Sequence, residues 1–206
     1  APSLNVYLHY VVDLWVNQWR KTQARGEVRI VRYVDDLVIT FQLEGDAREM
    51  KRMLAERLAR FGLELHPEKT RVIRFGRFAR ENAHLDGRTK PETFDFLGFT
   101  HIAAEALKSH RFRLVRRTSS KKRQVKLAAL GCEIRKRRHE PVLEQQKWLN
   151  AVLRGHFNYY GVPGNFRALG RFDLACTSVG SEHSNDEVSE GAGPPRNGEH
   201  SKVVFH

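Results

Sequence analysis

The chain has 206 residues, 40% of them hydrophobic, long enough for one full domain and a smaller one with a packed core. Its formal net charge is +12. Five acidic and two basic side chains fall from Cys176 onward, which leaves +15 on the residues before it and points to a polyanionic partner, nucleic acid foremost. Only Cys132 and Cys176 occur, without CxxC spacing, which excludes a disulfide framework and a zinc knuckle.

In chain order, Leu4, Tyr7, Val11, Leu14 and Trp15 recur at helical spacing and predict an amphipathic helix over 4–24, with Pro2 in its first turn. Residues 28–33 and 37–41 are short β-rich runs, a hairpin pattern with Val34, Asp35 and Asp36 at or near its turn. Asp46 is placed to cap the next helix, whose apolar face is Met50, Met53, Leu54, Leu58 and Phe61, with Gly62 as its stop. "LELHPEKTRVIRF" reads as a turn at His66 and Pro67 followed by a strand over 70–75, and 76–93 reads as a loop. "FDFLGFTH" and "RFRLVRR" alternate like a hairpin closing a sheet, which makes the first part α+β.

The character changes at Ser119. Residues 119–138 are basic and helical, with Val125, Leu127, Leu130 and Ile134 as the apolar members. Pro141 opens a helix running toward Tyr160, "GVPGN" is a turn, and a last helix is expected over 166–174. The domain boundary falls near Thr118, and the Ser-, Gly- and Glu-rich residues 175–206 read as a disordered tail. No run is apolar enough to span a membrane and no signal-peptide pattern opens the chain, so the expected location is the cytoplasm of a bacterial cell.

Asp35 and Asp36 stand side by side between the apolar runs "IVRYV" and "LVITF". Two adjacent aspartates are compatible with a plain exposed turn. Divalent metal is the other reading, since Mg²⁺ takes hard oxygen ligands and offsets the repulsion of clustered carboxylates.

"RYVDDLVI" resembles the Tyr-x-Asp-Asp hairpin of reverse transcriptase palms, and "LELHPEKTRVI" and "FDFLGF" resemble the next two palm blocks of group II intron reverse transcriptases. "LNAVLRGHFNYYGVPGN" is similar to the maturase core of that family, and "NVYLHYVVDLW" to the helix before the aspartate hairpin. The resemblance implies a partial polymerase palm over 1–118, an antiparallel sheet with helices, and an α-helical thumb and maturase region over 119–174. It implies Asp35 and Asp36 as the catalytic, Mg²⁺-holding pair, with Tyr33 and Val34 flooring the primer end. Lys69 is then a cation approaching the triphosphate, or else a solvated turn lysine. Phe96, Leu97, Gly98 and Phe99 match the hairpin that grips the primer, although the two phenylalanines are equally readable as core. Lys121, Lys122, Arg123, Lys126, Arg135, Lys136, Arg137 and Arg138 offer a cationic surface to a phosphate backbone. Arg154, His156, Asn158, Tyr159 and Tyr160 add groups that stack on unpaired bases and clasp phosphates, with Phe157 and one tyrosine expected in the core.

The implied partners are intron RNA, an RNA template with its DNA primer, and deoxynucleoside triphosphates. The further palm aspartate of the family precedes the "NVYLHY" helix, and neither Asp13, Asp46 nor Asp95 matches it. The expectation is therefore a C-terminal fragment of an RNA-directed DNA polymerase, inactive alone, with an atypical tail from a damaged gene. The other reading is a non-catalytic remnant that binds RNA and assists splicing, or a pseudogene product. A retron or diversity-generating enzyme fits the maturase-like block less well.

Overall fold

The computed structural model describes residues 2–106, 111–182 and 203–205. The first helix comes in three pieces: α1 (Pro2–Leu8), a π turn over His9–Asp13, and α2 (Leu14–Thr22). The Leu14 N–H donates to the His9 carbonyl, an i→i+5 bond that adds a residue to the turn. That extra residue rotates the part of the helix that follows it. Leu8, Val11, Val12, Val16 and Trp19 enter the core, whereas Leu4, Tyr7 and Leu14, expected there, stay exposed.

Strands β1 (Val28–Tyr33) and β2 (Asp36–Phe41) form the antiparallel hairpin, with Val28 opposite Phe41 and Tyr33 opposite Asp36. Helix α3 (Glu44–Arg60) buries Ala47, Met50, Leu54 and Leu58 in one core with Val16, Trp19, Leu37 and Ile39. Gly62, at φ 68°, closes it.

The expected cap needs correction. Leu43 precedes the helix, and Asp46 lies inside its first turn, 1% exposed. Its carboxylate accepts the N–H groups of Arg25 and Gly26, at 2.9 and 3.0 Å, and Nε of Arg25 at 2.8 Å. Burial pushes this carboxyl upward, but the Arg25 guanidinium and the two N–H groups outweigh it, and it titrates below the usual range.

Strand β3 (Arg71–Val72) is shorter than the expected 70–75. Helix α4 (Ala79–Leu85) lies where a loop was expected, burying Ala79 and Ala83 one turn apart. Strands β4 (Thr93–Phe96), β5 (Phe99–Glu105) and β6 (Phe112–Thr118) form a second sheet in that order. Helices α5 (Ser120–Arg137), α6 (Val142–Tyr160) and α7 (Phe166–Glu182) follow. The last runs past the expected end at Leu174. Strand β7 (Val203–Phe205) lies between β2 and β3, parallel to both, and the rest of the expected tail falls outside the described residues.

The α+β class is as expected. Contacts gather the chain into two units: one takes the described residues up to Leu97, Ala103–Arg113 and Val203–Phe205, the other Gly98–Ile102 and the described residues from Leu114 to Glu182. The second has its own core of Leu130, Phe172 and Cys176, flanked by Trp148, Leu149, Val152 and Leu153. Among the described residues no helix is long and apolar enough to cross a membrane.

Candidate active site at the aspartate hairpin

Two residues, Val34 and Asp35, turn the first hairpin. Val34 has φ 57°, a left-handed conformation that a β-branched side chain strongly resists. Asp35 is exposed at the tip, and Asp36, the first residue of β2, is half-buried. The base beneath them is held on both faces. Leu37 and Ile39 pack into the core with the first helix, and Val38 packs with Ile73 and Phe94. Tyr33 and Val34 immediately precede the pair, Tyr33 being 61% exposed.

Arg32 was read only as part of an apolar run, and the structure gives it more. Its Nε and Nη2 fork onto the two carboxylate oxygens of Asp13, at 2.8 and 2.7 Å. Nη1 donates to Oδ1 of Asn5 at 3.1 Å and to the Val34 carbonyl at 2.7 Å, and Nη2 also reaches the Asn5 carbonyl at 3.5 Å. Burial pushes the Asp13 carboxyl upward, but Arg32, and to a lesser degree His9, outweigh it and hold it below the usual range. The Asp13 bond in turn raises the pKa of Arg32.

Lys69 lies half-buried on the 66–70 turn, where its N–H donates to the His66 carbonyl at 3.2 Å. At the second hairpin Leu97 has φ 48° and Gly98 φ 77°, the signs of a type I′ turn. A Cβ on Gly98 would lie 2.7 Å from Oη of Tyr160. Both phenylalanines make packing contacts. Phe96 joins Ile73 and Phe94, and Phe99 is buried, stacked 5.9 Å from Tyr159 and edge-on 5.1 Å from Tyr160.

On α5, Lys121, Lys122 and Lys126 are exposed and Arg123 is half-buried. Toward its C-terminal end, Arg135 and Arg138 are exposed, but Lys136 pairs with Glu133 at 2.8 Å. Arg137 pairs with Glu140 at 3.1 Å and lies over the Trp148 ring, so local carboxylates neutralise part of the run. On α6, Arg154, Asn158 and Tyr159 are exposed. His156, expected among the RNA-facing groups, is turned inward. It is 6% exposed and stacked 3.6 Å from Phe172, and burial lowers its pKa. Tyr160 is half-buried beside it and Phe157 is half-buried too. Asn165, missed in the sequence, is a buried clip. Its Oδ1 accepts the Thr118 N–H at 2.9 Å, and its Nδ2 donates to Oγ1 of Thr118 and the Tyr160 carbonyl, both at 2.8 Å. The asparagine of "GVPGN" was visible only as a turn residue.

Among the described residues no cluster of three or more His, Cys, Asp or Glu side chains gathers to hold a metal. The Asp35–Asp36 pair still suits Mg²⁺, which is commonly bound by one or two carboxylates with water and substrate phosphates filling the rest.

No curated protein and no solved structure matches the chain. Residues 2–101 match the family model described as reverse transcriptase (RNA-dependent DNA polymerase). That match takes in both hairpin turns, the braced aspartate tip and the Lys69 turn. Reverse transcriptases generally bind an RNA template and nucleotides and use divalent metal ions, and residues 2–101, just under half of the chain, are similar to that family.

Proposed function

We infer that the chain is the end of the palm with the thumb and maturase region of a group II intron reverse transcriptase. In this reading Asp35 is the firmer metal ligand and Asp36 its neighbour. The observation that carries it is the hairpin tip, where an exposed carboxylate follows a strained Val34 on a strand buried on both faces. Backbone strain of this kind persists where the surroundings over-determine it, and functional sites are where it collects.

When bound, Mg²⁺ supplies charge neutralisation and alignment of the attacking hydroxyl with the leaving pyrophosphate. The residues present do the holding. Asp35 and Asp36 offer hard oxygens, Tyr33 gives an exposed ring beside the primer end, and Lys69 offers a cation toward the triphosphate. Exposed Lys121, Lys122 and Lys126 give a face for the phosphate backbone, a contact blind to sequence and weakened by salt. Those exposed cations also favour a second reading, an RNA-binding chain that assists splicing without polymerising.

Primer extension on an RNA template separates the two. The chain alone is expected to extend no primer, because the family's further aspartate is not among its matching residues. Supplying a complete family N-terminal half is expected to restore extension, and Asp35→Ala to abolish it. Extension that survives Asp35→Ala would end the catalytic reading. If extension never appears, salt-sensitive RNA binding lost on reversing Lys121, Lys122 and Arg123 to glutamate would leave the second reading standing.

A further inference from the structure

We propose that Arg32 is a positioning residue whose guanidinium sets the conformation of Val34, and so aims Asp35. The proposal deepens the metal-site reading and rests on it only for the metal readout described below.

An arginine presents five N–H groups in a rigid fork. In Arg32 all five have partners: two carboxylate oxygens of Asp13, the side-chain and backbone oxygens of Asn5, and the Val34 carbonyl. One planar group therefore ties three pieces of chain together: helix α1, the π turn and the hairpin tip. The Arg32 side chain is 13% exposed and that of Asp13 20% exposed, which shelters the pair from solvent screening.

Val34 is where a brace is needed. A valine at φ 57° relaxes toward negative φ unless something holds its peptide group. The 2.7 Å bond from Nη1 to the Val34 carbonyl grips that peptide, the one that joins Val34 to Asp35. Rotating it would swing the Asp35 backbone, and the carboxylate with it. The π turn contributes by placement. Its extra residue turns everything after His9 around the helix axis, and Asp13, the last residue of the turn, meets the fork in that register. Lysine in place of Arg32 keeps a positive charge for Asp13 but is a point donor, unable to span the carboxylate and the tip carbonyl at once.

The test uses the full chain, ¹⁵N-labelled, with Mn²⁺ as the metal probe. Arg32→Lys and Asp13→Asn are compared with Arg29→Ala, an exposed arginine on the same strand that pairs with Glu27. In the parent, order parameters at Val34 and Asp35 are expected in the rigid range, about 0.85, and in Arg32→Lys below about 0.6. Ile30 and Ile39, paired at mid-hairpin, are expected to keep their parent values. Mn²⁺ broadening centred on Asp35 is expected to need roughly tenfold more metal in Arg32→Lys, the loss of one charge-assisted bond. Arg29→Ala should match the parent in both readouts. Unchanged order parameters at the tip in Arg32→Lys, or a loss spread evenly along β1 and β2, would overturn the proposal. If Asp35→Ala leaves Mn²⁺ broadening intact, the metal reading fails, while the order parameters still decide the role of Arg32.

Discussion

The two hairpin tips are built alike and held differently. Each is a two-residue turn whose first residue is a non-glycine at positive φ, Val34 in one and Leu97 in the other. Around the first, the supports are ionic: Arg32 on Asp13 and the Val34 carbonyl near the tip, and Asp46 on Arg25 and Gly26 at the base. Around Gly98 they are neutral. Its carbonyl accepts the Ser119 N–H at 2.9 Å, Tyr160 closes over its Cα, and Thr118 is clipped by Asn165. With ionic supports, the first tip exposes a charged side chain, Asp35. Contact supports turn the second into a packing surface, where glycine is required on steric grounds.

The largest effect should come from the packed tip. Gly98→Val adds a β-branched side chain at φ 77° and against Tyr160, and it is expected to cost about 3 kcal/mol. Urea unfolding of the full chain, followed by circular dichroism, measures it. Adding Tyr160→Phe should recover only the part due to the hydroxyl, and full recovery would show that the φ carries no cost.

Next comes the ionic base of the first hairpin. Asp46→Asn is expected to cost about 2 kcal/mol near neutral pH, since it removes charge-assisted bonds in a buried setting. The carboxyl titrates lower folded than unfolded, so its stabilisation is fully present above the unfolded value of about 3.9. It is lost as pH falls through the lower folded value. The gap between parent and variant should therefore close in acid. A gap independent of pH would mean that shape rather than charge is what Asp46 supplies. The Thr118–Asn165 clip has no titrating member, so Asn165→Ala should show no such convergence.

The smallest effect sharpens the contrast at the strained position. Val34→Asn places a residue tolerant of left-handed backbone at φ 57° and should stabilise the chain by about 1 kcal/mol in the same unfolding experiment. A destabilisation would mean that the valine side chain packs well enough to outweigh its backbone.

Much of this was readable in the residues. Alternating runs on either side of Asp35 and Asp36 fix a hairpin, and a frame of two strands leaves little else for its turn. Met50, Leu54 and Leu58 mark the buried face of α3 by spacing alone. What escaped depends on partners far along the chain or on weak local signals. Asp46 looks like a cap until Arg25, 21 residues earlier, is seen against it. Arg32 has no periodicity to betray a fork onto Asp13. The π turn spoils a spacing rule that assumes 3.6 residues throughout, which is why Leu14 was expected inside and Val16 found there. Helix α4 buries only two alanines, too little apolar contrast to announce itself. His156 sits among residues suited to RNA, and only the Phe172 ring reveals that it faces inward.

Strand β2, gripped on both faces from Leu37 to Ile39, makes the hairpin a short cantilever with two residues overhanging. The positional error at the free end of such a beam grows with the overhang. One inserted residue lengthens the chain by about 3.3 Å, more than an entire Mg²⁺–oxygen bond of about 2.1 Å. The tolerance of this tip is therefore set by residue count before residue identity. A change of side chain at Val34 shifts stability by only about 1 kcal/mol, but a third turn residue would carry Asp35 out of reach of anything built to meet it.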